Sequence, residues 1–158
     1  MTSNRTMPTA AATRRQVMAG AGALILVAGA GGRAAAQTAG DFAAALKKTL
    51  GEAQAKEGKV IIKAPEIAEN GATVPITLTV DSPMTPASYV SRVTLLADGN
   101  PNPEVAVFHL GPKNGRAEVS TRIRLAKTQN VVVVAELSDK SLWTAKKEIK
   151  VTIGGCGG

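Results

Sequence analysis

Between Lys59 and Ile153 apolar residues recur at every second position in short runs, punctuated by proline, glycine or an Asp-Gly pair. A two-residue period sends successive side chains to opposite faces, and this commits the segment to β-strands. "KVIIK" (Lys59 to Lys63) is stopped at Pro65. "TVPITLTV" sets Val74, Ile76, Leu78 and Val80 against Thr73, Thr77 and Thr79. Pro75 confines that strand to an edge or a bulge, because proline has no N–H for a ladder. "YVSRVTLLADGN" runs into a turn at Asp98-Gly99, and "EVAVFHL" and "RAEVSTRIRL" flank "GPKNG", a hairpin signal. In the second of these, Ala117, Val119, Thr121, Ile123 and Leu125 face one way, and Arg116, Glu118, Ser120, Arg122 and Arg124 the other. "VVVVAEL" reads as a buried strand, and "LWTAKKEIKVTI" puts Trp143, Ala145, Ile149, Val151 and Ile153 on one face. About seven short strands at this spacing predict an all-β fold, an immunoglobulin-like antiparallel β-sandwich.

Ahead of the strands, "DFAAALKKTLGEAQAKEG" has the pattern of one amphipathic helix that packs on a side of the sandwich. Asp41 caps it, Phe42, Leu46, Leu50 and Ala53 recur at helical spacing, and Gly58 ends it. No internal repeat or linker divides the chain, so residues 37–153 read as one domain. Residues 1–36 read differently. "TRRQVM" (Thr13 to Met18) precedes the small apolar run "AGAGALILVAGAGG", and Ala34-x-Ala36 suits a signal peptidase. The Arg14-Arg15 pair points to twin-arginine export to the periplasm. The alternative, a membrane anchor, conflicts with a run this short and rich in Gly and Ala, since a span takes about 20 strongly apolar residues. No anchor then remains after cleavage.

Removing residues 1–36 takes away Arg5, Arg14, Arg15 and Arg33 and no acid, leaving 15 basic against 12 acidic residues, a charge of +3. With 3% aromatics and no basic cluster, nucleic-acid binding has no footing. A blue-copper centre needs two His, a Cys and usually a Met, whereas the single histidine, His109, groups with Val105 and Val107 as a half-buried strand residue. No metal or cofactor is therefore expected.

The single cysteine, Cys156, sits two residues from the end in "IGGCGG". Exported domains use cysteines in pairs, so an odd one suggests intermolecular pairing or a reactive thiol. Gly154, Gly155, Gly157 and Gly158 cannot hold the fixed geometry that nucleophilic catalysis requires. They make residues 154–158 a flexible arm that carries the thiol roughly 10 Å from Ile153 at full extension. A thiol so placed is a poor enzyme residue and a good substrate for other enzymes. A frayed end is the plain alternative. A ubiquitin-like carrier with sulfur on a terminal Gly-Gly carboxylate would need ATP, from which export removes the chain.

The terminal "GGCGG", preceded by "KVTIGG", resembles the SoxY family, the sulfur-carrying subunits of bacterial thiosulfate oxidation. "PEIAENGATVPITLTVDSPM" (Pro65 to Met84) and "FHLGPKNGRAEVSTRIRLAKTQNVVVVAELSD" (Phe108 to Asp139) extend the likeness over the mature chain. The resemblance implies a covalent carrier, not an enzyme, with Cys156 bearing the sulfur. It implies a smaller SoxZ-like β-sandwich partner in a heterodimer or heterotetramer, received on an apolar patch such as "VVVVAEL". It further implies a haem enzyme that loads thiosulfate as a cysteine S-thiosulfonate, a manganese-dependent hydrolase, and a molybdenum-haem dehydrogenase. A second reading, an interaction module whose Cys156 forms an intermolecular disulfide, stays open beside it. A cupredoxin survives only with an unseen ligand.

Overall fold

Val74, Ile76, Leu78 and Val80 are all buried in the computed structural model, which describes residues 31–154, with side chains from residue 41. The alternation works as it should: their intervening neighbours are exposed or half-buried. The described residues form one α-helix, α1 (Gly31–Leu50), and nine strands. These are β1 (Lys56–Glu57), β2 (Val60–Lys63), β3 (Ile67–Asn70), β4 (Val74–Val80), β5 (Val90–Ala97), β6 (Glu104–His109), β7 (Glu118–Ile123), β8 (Gln129–Leu137) and β9 (Leu142–Ile153). The larger sheet has the order β1-β9-β8-β5-β6, with β3 also on β9, and the smaller is β2-β4-β7. The core between them joins Val74, Ile76 and Leu78 of β4 and Ile123 of β7 to Val93 and Leu95 of β5, Val131 and Val133 of β8 and Ile149 of β9. This is the expected all-β sandwich. Its long pairings are antiparallel, but β1 and β3 join the outer edge of β9 in parallel, at Trp143–Thr144 and at Lys150–Ile153. Neither short strand is marked by apolar alternation in the sequence.

The GPKNG hairpin does not form. β6 pairs with β5 and β7 with β4, so the two strands belong to different sheets. Gly111 N–H donates to Asn114 Oδ1 (2.8 Å), and Gly115 N–H to the Pro112 carbonyl (3.2 Å), closing a self-contained 3₁₀ turn. The turn carries the chain across the sandwich. A hairpin would have kept β7 on the larger sheet and left that side of β4 unpaired.

Pro75 lies in the central strand of the smaller sheet rather than at an edge. The strand tolerates it because β2 pairs with β4 only from Thr77 to Val80, so β2 has ended before Pro75.

The helix differs at both ends. It begins at Gly31, so Asp41 is interior and not a cap, as the helix-favouring alanines upstream allow. It stops at Leu50, where Gly51 takes φ +61°, a left-handed conformation that glycine adopts without strain. Ala53 is consequently outside the helix and exposed, and Gly58 ends nothing helical. The expected cleavage point after Ala36 falls within α1, while Arg14-Arg15 and the apolar run up to residue 30 lie outside the described residues. No described helix is long and apolar enough to cross a membrane.

Phe42, Ala45, Leu46 and Leu50 pack α1 against Leu96, Val132, Val134 and Leu142 on the outer face of the larger sheet. That explains "VVVVAEL": Val131, Val133 and Ala135 face the sandwich core, and Val132 and Val134 face the helix. The apolar surface expected there as a partner's landing site is covered by the chain's own helix.

Candidate functional site: the root of the C-terminal segment

β9 leads out of the fold toward Cys156. Its alternation holds as far as the half-buried Val151, beyond the fully buried Ile149. Ile153, expected on the same packed face, is 67% exposed because it overhangs the end of the core. The strand end is held by its backbone instead. Gly71 N–H donates to the Ile153 carbonyl (2.7 Å), and Leu125 N–H to the Gly71 carbonyl (2.8 Å). Val151 N–H donates to Thr128 Oγ1 at 2.9 Å.

Gly154, the last described residue, lies against the turn at Arg124–Thr128. A Cβ placed on it would collide with the Ala126 carbonyl oxygen and stand 3.3 Å from that carbonyl's carbon. The glycine therefore meets a steric requirement. Gly155, Cys156, Gly157 and Gly158 lie outside the described residues.

Beneath the turn lies an amide pair that the sequence reading did not single out. Asn100 Nδ2 donates to the Arg124 carbonyl (2.8 Å), and Asn100 Oδ1 accepts from Ala126 N–H (3.0 Å). Gln129 Nε2 donates to Asn100 Oδ1 (2.8 Å) and to the Lys127 carbonyl (3.2 Å), while its Oε1 accepts from Gly99 N–H (2.6 Å). Both side chains are buried, Asn100 at 7% and Gln129 at 4% exposure. Buried amides need every partner they can find, and these have them.

The other titratable groups lie elsewhere. His109 is exposed, not half-buried, because β6 is an edge strand and the residue is on its outward side. It borders a shallow cavity of about 230 Å³ with Ser91, Arg92, Glu136 and Lys140. Glu136 there pairs with Arg92 at 2.7 Å and Lys140 at 3.0 Å. The hydrogen bond from Lys140 and then the charge of Arg92 hold its carboxyl below the usual range, against the opposing effect of burial. Among the described residues no three His, Cys, Asp or Glu side chains gather closely enough to hold a metal ion.

The family profile of sulfur oxidation protein SoxY matches residues 46–156, ending on the cysteine itself. The chain belongs to the SoxY family. The solved SoxY sulfur carrier protein from Chlorobium limicola f thiosulfatophilum is 38% identical, with a TM-score of 0.60 over 73% of this chain and 99% of that one. Two superoxide reductases share the fold alone. One from Ignicoccus hospitalis is 24% identical (TM-score 0.53, 59% of this chain and 79% of that one). A putative one from Thermotoga maritima is 21% identical (TM-score 0.51, 62% and 87%). No curated protein matches alongside these. SoxY membership and the closed ring of backbone contacts around Gly154 direct attention to the same end of the molecule.

Proposed function

We propose that this SoxY-family chain carries sulfur covalently on the Cys156 thiol and presents it to successive enzymes of sulfur oxidation. The chain is a carrier and not an enzyme. The observation that carries this reading is the family match running through residue 156, supported by the 38% identical sulfur carrier.

Loading joins the outer sulfur of thiosulfate to the Cys156 sulfur. The thiol gives up its proton, and two electrons pass to a haem-containing partner, leaving an S-thiosulfonate. Water then cleaves the sulfur–sulfonate bond in a manganese-dependent hydrolase, releasing sulfate and leaving a persulfide for a molybdenum-haem dehydrogenase to oxidise. Glycines on both sides of the cysteine suit a segment that must enter several active sites, since they present no side chains to a narrow channel. A SoxZ-like subunit is the stable partner. Arg14-Arg15 and Ala34-x-Ala36 favour twin-arginine export and action in the periplasm.

The test is intact-mass measurement of the protein from cells growing on thiosulfate, beside Cys156→Ser. A thiosulfonate or sulfane adduct absent from the serine variant is expected, with thiosulfate-dependent turnover lost and the fold intact. A homogeneous disulfide-linked dimer with no sulfur adduct would replace the carrier by the interaction-module reading.

A further inference from the structure

Each polar group of the Arg124–Thr128 turn that faces Asn100 and Gln129 is tied down. The Arg124 carbonyl, Ala126 N–H and Lys127 carbonyl all bond to this one buried amide pair, while Leu125 N–H bonds to Gly71. Leu125 itself is fully buried, so the turn cannot rise from the surface without emptying a core site. Gly71 closes the circuit by donating to Ile153, the residue before Gly154. The Ala126 carbonyl is thus a fixed wall, and Gly154 passes it at a distance that no other residue could manage.

We propose that Asn100 and Gln129 are positioning residues: by locking the Ala126 carbonyl against Gly154, they set the point and direction from which the segment bearing Cys156 leaves the domain. Significance for sulfur transfer rests on the carrier reading above. The geometry does not. The tether is short by sequence, so a displaced root moves the volume the thiol can reach and lowers its effective concentration at a partner's site. The search for each partner's channel then starts from one fixed origin.

The variant that tests this is Gln129→Met, which keeps the bulk and removes the bonds to Asn100, Lys127 and Gly99. Asp98→Ala is its control, because Asp98 ties down Asn130 with two hydrogen bonds and its side chain makes none to the Arg124–Thr128 turn. Nitroxide labels on Cys156 and on an added Glu118→Cys, on the exposed side of β7, report the root by pulsed electron-spin distance measurement. A shifted and broadened distance distribution is expected in Gln129→Met, and an unchanged one in Asp98→Ala. In the unlabelled chains, partner-catalysed loading should fall by about tenfold or more in Gln129→Met while iodoacetamide alkylation stays within about twofold. Gly154→Ala, which pushes on the same carbonyl from the other side, must reproduce both effects, and it decides the matter should Gln129→Met fail to fold. Unchanged distances, or equal changes in the Asp98→Ala control, overturn the proposal. A parent chain that takes up no sulfur overturns the carrier reading instead, and the distances still decide the positioning.

Discussion

Gly154 and Gly111 make opposite demands on the same substitution. Alanine at Gly154 meets the Ala126 carbonyl, whereas at Gly111 it meets nothing within 4 Å on an extended backbone (φ −158°). Urea unfolding should therefore show Gly154→Ala destabilised by about 1–3 kcal/mol, the usual cost of overpacking. Gly111→Ala should stay within about 0.5 kcal/mol. Equal effects would mean the turn yields freely. Glu136 gives a second residue-scale expectation. Its folded pKa is depressed, so its contribution to stability is complete above the unfolded carboxylate value and is lost as pH falls through the depressed one. Glu136→Gln should lower the melting temperature at neutral pH, by an amount equivalent to about 1 kcal/mol or less given the exposure of Lys140. The two melting curves should converge in acid; curves that stay parallel across that range would rule out the linkage. Cys156, which lies outside the described residues, was noticeable in the sequence as a lone thiol among glycines. Asn100 and Gln129 were not. Apart from Lys127, their partners lie 24 to 30 residues away, and an amide that bonds across such a gap leaves no periodic trace.

Among the elements, α1 replaces solvent over Leu96, Val132, Val134 and Leu142. A chain lacking residues 31–50 should expose that patch and self-associate, since soluble domains rarely leave contiguous apolar surface bare. Sedimentation velocity is the check, and a monodisperse monomer would show that the helix is dispensable. Leu96→Ala in the full chain should cost about 2–5 kcal/mol, as for other fully buried leucines. That β8 is buried on both faces could be read from four consecutive valines. What covers its second face could not, because a helix and a partner subunit impose the same apolar pattern. The helix start was misplaced for a related reason: Asp41 is a good capping residue, but alanines upstream prolong a helix at little cost.

For the molecule as a whole, the smaller sheet is assembled from distant parts of the chain: Thr77 of β4 meets Ser120 of β7, their hydroxyls 2.9 Å apart. Alternation identified both strands, yet no local signal says which sheet a strand joins. Gly and Asn in "GPKNG" serve a crossover as well as a hairpin. Replacing Gly111–Gly115 by a two-residue Asn-Gly turn should therefore abolish cooperative unfolding, because β6 and β7 would be forced side by side; a variant with the parent's denaturation midpoint would refute the crossover. A further consequence concerns β9. Its outer edge is occupied at one end by β1 and at the other by β3. The bare stretch between carries Lys146, Lys147 and Glu148, and Lys147 Nζ is bonded across it to the Ala64 carbonyl at 2.7 Å. Charged, interrupted edges of this kind resist the strand-on-strand growth that begins amyloid. The longest of the described strands is thus a poor template for fibrils, and crowded copies can collide along it without seeding one another.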